Sequence, residues 1–153
     1  MTPLSSRYLL VVAAAAIAAS VVLALDVASL PSSPLPRADG ARVLAIVVAG
    51  FDGPEYREIE AVLEAQGAVV VTASFTLDEV VGEGGTVKPD IPLDDVDLAE
   101  YDAILMPGGY HIRANIKEHP AREALYDLIR RADNEGKLIA AICRAPSVLG
   151  DAG

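Results

Sequence analysis

Cys143 is the single cysteine of the chain, and it stands between an apolar run and a proline, in Ala141-Ile142-Cys143-Arg144-Ala145-Pro146. A tight strand-to-helix turn there would push the sulfur outward, and a helix N-terminus favours the thiolate. Such a nucleophile elbow suits attack on a carbonyl carbon. Ala141 and Ala145 take the places of the glycines in the hydrolase pattern G-x-S-x-G, so small residues are kept although the pattern is not matched. An inert cysteine ending a buried strand is the alternative, because free cysteine is among the most buried residue types.

Two other pieces could join it. Gly108-Gly109 could aim backbone N–H groups at an oxyanion, with the Arg144 N–H as a further donor; a plain turn is the other reading. Glu55 follows Asp52 by three residues, so spacing alone favours a capping box with Asp52 at the N-cap. In the functional alternative, the Glu55 carboxyl points across to Cys143 as a base or a proton-sharing partner.

The elements that must position these groups alternate. Residues 42–49 (RVLAIVVA) form a continuous β-branched run of the kind found in parallel strands covered on both faces. Tyr56, Ile59, Val62 and Leu63 lie on one helical stripe within residues 54–66, with Pro54 in the first turn and Gly67 as the stop. Residues 68–74 (AVVVTAS) supply a second strand and complete a right-handed βαβ unit. Residues 77–101, punctuated by glycine and proline, predict a hairpin or edge excursion and then a loop. A third strand, 103–106, runs into Pro107-Gly108-Gly109. A helix over 120–134 follows, then a fourth buried strand over 138–142, and Pro146 starts another helix. Asp52 and Glu55, Gly108-Gly109 and Cys143 thus all follow strand carboxyl ends, where open α/β sheets gather their chemistry.

The bulk numbers exclude several classes. A chain of 153 residues is sized for one domain with a core. Twenty-two acidic against 12 basic residues give a net charge of -10, which repels phosphate backbones and argues against nucleic acid as a partner. One cysteine permits no intrachain disulfide, and no Cys/His grouping is spaced to hold a metal. His111 and His119 flank a helix start, which suits surface or capping roles.

Residues 8–25 (YLLVVAAAAIAASVVLAL) carry no charge over eighteen positions and follow Arg7. Their length falls between the h-region of a signal peptide and a spanning helix, so residues 1–25 are predicted to be either a cleaved signal or a membrane anchor. In both cases Arg7 stays inside and the rest is carried out of the cytoplasm. Residues 26–40, rich in proline and serine, predict an extended tether, leaving 41–153 as the folded domain.

Together, Phe51 to Glu55 as F-x-x-x-E, Met106 to Gly109 as M-P-G-G and Ala141 to Pro146 as A-I-C-x-A-P resemble the DJ-1/PfpI family over roughly residues 41–153. The resemblance implies a flavodoxin-like α/β sandwich with a mainly parallel sheet, preceded here by a hydrophobic N-terminal helix. It further implies Cys143 as the reactive cysteine, Glu55 as its glutamate partner, and Gly109 with the Arg144 backbone as oxyanion donors. No cofactor and no metal are implied. The expected partners are a small carbonyl compound or a peptide as substrate, a second copy of the chain, and a membrane if the N-terminal segment is retained. Arg144 stands where peptidase-like members have a histidine, and arginine stays protonated, so a base must come from elsewhere. Family members continue past the elbow helix with further strands and a last helix, so the sheet is expected to be cut short after the elbow strand with an open apolar edge. Two functional classes follow: a cysteine-dependent hydrolase or glyoxalase/deglycase, and a non-catalytic oxidant sensor, chaperone-like or binding relative.

Overall fold

A computed structural model describes residues 38–153. The predicted signal or anchor over 1–25 and most of the tether lie outside the described residues. The last part of the tether is held: Ala38 N–H donates to Gln66 O and Gly40 N–H to Gly67 O, both at 2.9 Å.

Five strands form one parallel sheet: β1 (Arg42–Ile46), β2 (Val69–Ser74), β5 (Ile91–Pro92), β6 (Ala103–Met106) and β7 (Leu138–Ala141), in the order β5-β2-β1-β6-β7. The central strand β1 carries RVLAI, with Leu44, Ala45 and Ile46 at 1% exposure or less. Covered on both faces, it needs apolar side chains at successive positions rather than alternate ones. It ends earlier than the apolar run suggests; Val47 N–H still bonds Ala73 O, and the chain turns away at Gly50, whose φ is +81°.

Helix α1 (Gly53–Ala65) links β1 to β2, and α3 (Arg122–Asn134) links β6 to β7. The two crossovers step in opposite directions across the sheet, so right-handed connections put α1 on one face and α3 on the other. The sheet therefore has a topological switch between β1 and β6, which is where ligands settle in open α/β folds. Phe51 packs edge-on against Tyr56 of α1 with centroids 5.8 Å apart. The Tyr56 hydroxyl meets Thr72 and Glu60, and burial, followed by the bond to Glu60, pushes its pKa far above the usual tyrosine range.

Three sequence expectations change. The irregular stretch contains the expected hairpin, β3 (Val80–Gly82) against β4 (Gly85–Val87), and then also β5 at the sheet edge. A short helix, α2 (Ile112–Glu118), precedes α3; only Ile112 and Ile116 are buried in it, too sparse a pattern to read from sequence. β7 is not the buried strand its LIAAI run suggested: Leu138 is 69% exposed, because no described element covers that edge. An apolar groove of about 390 Å³ lies beside it, lined by Val43, Ile59, Leu63, Ala103, Leu138 and Ala140. The last helix, α4 (Pro146–Ala152), is tied to α2 by Asp151, which pairs with Arg113 at 2.6 Å and Lys117 at 3.3 Å. Among the described residues no helix is long and apolar enough to cross a membrane.

Candidate active site

The loop after β1 prepares the first component. Asp52 is the N-cap of α1, its Oδ1 accepting the Glu55 N–H at 3.0 Å. A full capping box would return the Glu55 carboxylate to the Asp52 N–H. Here the Asp52 N–H donates instead to Gly108 O at 2.8 Å, and Glu55 Oε1 accepts the Gly108 N–H. The Asp52 half of the box is therefore made, and the Glu55 carboxylate is turned to the end of β6 rather than back to the Asp52 N–H.

The second component is the elbow. Cys143 has φ +56°, the one positive value at a non-glycine among the described residues. A left-handed conformation at a residue with a Cβ stores strain of about 1–2 kcal/mol, which surrounding bonds must hold in place. Ile142 N–H to Met106 O at 3.1 Å anchors the turn on β6, and Ala145 N–H to Ile142 O at 2.9 Å closes it. Ala145 is fully buried beneath the turn, which accounts for a small residue there, while Cys143 is exposed.

Gly108 brings these components together. A Cβ built on it would lie 2.5 Å from Cys143 Cβ and 2.9 Å from Glu55 Oε1, so the thiol-bearing carbon and the carboxylate both press on this one Cα. At Gly109 the φ is +142° and an added Cβ would fall 2.1 Å from Gly50 O, so the chain passes the first loop too closely for any side chain.

The sequence offered Gly108, Gly109 and Arg144 as oxyanion donors, and the structure divides them. The Gly108 amide is committed to Glu55. No hydrogen bond from the Gly109 or Arg144 amide is made among the described residues, so both N–H groups are left for another acceptor. No histidine side chain is recorded against Cys143. His119 Nδ1 accepts the Ala121 N–H at 3.2 Å and its ring stacks on Phe75, the capping and surface role expected of it. His111 sets its ring edge against Tyr110. Among the described residues no group of three His, Cys, Asp or Glu side chains could hold a metal ion.

Two residues at this site were not singled out from the sequence. Tyr110 lies under the Arg144 guanidinium, 4.2 Å from ring centroid to Cζ, and its N–H donates to Glu83 Oε1 at 2.9 Å. Tyr110 was within reach as the first residue after the M-P-G-G motif; Glu83 was not, since only the folded hairpin brings it near.

An open parallel sheet with a strained cysteine elbow at the carboxyl end of a strand, set with a glutamate against one glycine, defines a class of cysteine-centred α/β proteins. The family model described as "DJ-1/PfpI family" matches residues 41–153, and the chain belongs to that family. It is 32% identical over 108 residues to "Deglycase PfpI" of Pyrococcus furiosus, covering 65% of this chain and 61% of the relative. To "Protein dj-1beta" of Drosophila melanogaster it is 32% identical over 112 residues, covering 72% of this chain and 58% of the relative. The crystal structure of Drosophila melanogaster DJ-1beta superposes with a TM-score of 0.67 at 29% identity, over 74% of this chain and 61% of that one. Oxidized Toxoplasma gondii DJ-1 gives 0.64 at 32% identity, over 74% and 62%. The chain thus spans about 61% of the length of the first curated relative it matches.

Proposed function

We propose that this protein is a cysteine-dependent enzyme acting on a carbonyl centre, either a small reactive aldehyde and its adducts or a peptide bond. The observation that carries this is Cys143 held at φ +56° with Glu55 and Cys143 both against Gly108. Sulfur adds to the carbonyl carbon, and the π pair moves to oxygen, where the Gly109 and Arg144 amides receive the charge. The thiol proton passes by way of the Glu55 carboxylate to the new oxyanion, which leaves Glu55 ionised again for the next step. With methylglyoxal and water the net product is lactate, an internal redox change that needs no external oxidant. In this scheme Glu55 carries the proton from the aldehyde carbon to its neighbour before water releases the acyl group. Similarity to proteins named deglycases supports the aldehyde-adduct branch. Turnover of methylglyoxal and of a peptide substrate, with Cys143→Ala as control, tests the proposal; equal rates for parent and control would end it.

A second reading, oxidant sensing, is supported by the exposure of the Cys143 thiol. Mass-spectrometric detection of a reversible sulfenic acid at Cys143 under mild peroxide would favour it over turnover. We further propose that the domain works outside the cytoplasm, supported by the uncharged run over residues 8–25. A reporter active only in the cytoplasm, fused after Gly40, should be silent; strong activity would refute that location.

A further inference from the structure

We propose, resting on the cysteine chemistry above, that Arg144 and Tyr110 form an anion-selecting element beside Cys143. The preferred ligands of the site are then carbonyl compounds carrying a carboxylate next to the reacting carbon, rather than neutral aldehydes.

Arg144 directly follows the nucleophile, and its guanidinium lies over the Tyr110 ring at 4.2 Å. Arginine on tyrosine is common at surfaces and alone signifies little. Here the backbone that carries the ring is held, and the ring has a second neighbour. The Tyr110 N–H is fixed by Glu83 Oε1 at 2.9 Å, and His111 packs against the ring with centroids 4.8 Å apart. Just before it, Gly109 passes Gly50 O too closely for any side chain to fit between them. The cation therefore rests on a positioned platform.

No ion pair to Arg144 is recorded among the described residues. Asp151, Asp127, Glu123 and Glu100 pair with other cations, and Glu83, the carboxylate that reaches Tyr110, is used on the backbone amide. An aromatic face orients a guanidinium without neutralising it, which leaves its fork of N–H groups for an incoming carboxylate. The Arg144 backbone N–H faces the developing oxyanion while its side chain offers charge to a second anionic group. One residue would thus serve both charges of an anionic substrate. The net charge of -10 opposes anions in general, so the effect appears as a change on substitution rather than as a fast absolute rate.

Alkylation of Cys143 in the full chain reads this without requiring turnover. Iodoacetate and iodoacetamide each form one S–C bond and expel iodide, and they differ in charge. The iodoacetate to iodoacetamide rate ratio should fall about fivefold or more in Arg144→Gln, from a charge contact worth about 1 kcal/mol. It should be retained in Arg144→Lys and fall partway in Tyr110→Leu, where the platform is lost. A ratio in Arg144→Gln within twofold of the parent, or an equal fall in Arg144→Lys, overturns the proposal. Thermal melts of each variant establish that the ratio is read on folded protein. Failure of methylglyoxal, glyoxylate and peptide turnover with the ratio shift intact would reject the enzyme assignment and leave anion selection standing.

Discussion

Glu55 accepts the backbone N–H of Gly108, although its position three residues after the helix N-cap Asp52 suits it to bond the Asp52 N–H instead. The carboxylate therefore supports a buried amide and, in the proposed chemistry, moves a proton at the elbow cysteine, two tasks that substitution can separate. Glu55→Gln keeps an acceptor for Gly108 and should leave stability close to the parent, while lowering kcat by about 10²–10⁴-fold if the carboxylate moves a proton. Glu55→Ala orphans the amide and should cost about 1–3 kcal/mol in denaturant unfolding as well. A Gln variant with parental kcat would remove Glu55 from the chemistry.

The left-handed backbone at Cys143 predicts an unusual stability order. Cys143→Ala keeps the strain, whereas Cys143→Gly relieves about 1–2 kcal/mol of it against an entropic cost of about 0.5–1 kcal/mol. The glycine variant should unfold at higher denaturant than the alanine one. The reverse order would show that the elbow is not strained.

Strands and elbow were legible in the sequence because both rest on local pattern: continuous apolar runs for β1, β2 and β6, and a cysteine between an apolar run and a proline. The destination of the Glu55 carboxylate was not legible, since capping-box spacing is the same whether or not the box closes. The pairing of Tyr110 with Glu83 depends on a hairpin folding back across 27 residues, and no period or motif records that. β7 misled for a physical reason: LIAAI is what a buried strand looks like, yet burial depends on neighbours that the strand does not itself encode.

Asp151 gives a pH signature. Hydrogen bonding to Arg113 holds its carboxyl down at about 2, below its ordinary value. A depressed carboxyl contributes stability above the unfolded-state pKa of about 3.9, and that contribution is lost as pH falls through the folded value. Unfolding of the parent should therefore become easier between about pH 4 and pH 2, and Asp151→Asn should flatten that part of the curve. Parallel pH profiles for the two proteins would show that the link between α4 and α2 adds no stability.

The groove beside β7 predicts association. An exposed Leu138 on an uncapped strand, next to apolar surface from Val43, Ile59 and Leu63, is a surface that water leaves readily. Residues 38–153 produced alone should sediment as concentration-dependent oligomers, and Leu138→Lys should shift them toward monomer. A monodisperse monomer with a sharp thermal transition would count against this.

Glu83 takes part in three contacts at once: its N–H to Phe51 O, its carbonyl from the Gly53 N–H, and its carboxylate from the Tyr110 N–H. The turn between β3 and β4 looks from outside like a spare surface excursion, the kind of place where insertions are tolerated. In this fold it is a keystone joining the loops that follow β1 and β6. Lengthening it by even one residue would loosen two walls of the cysteine centre together, so loop exchange at this hairpin would alter reactivity before it altered the sheet.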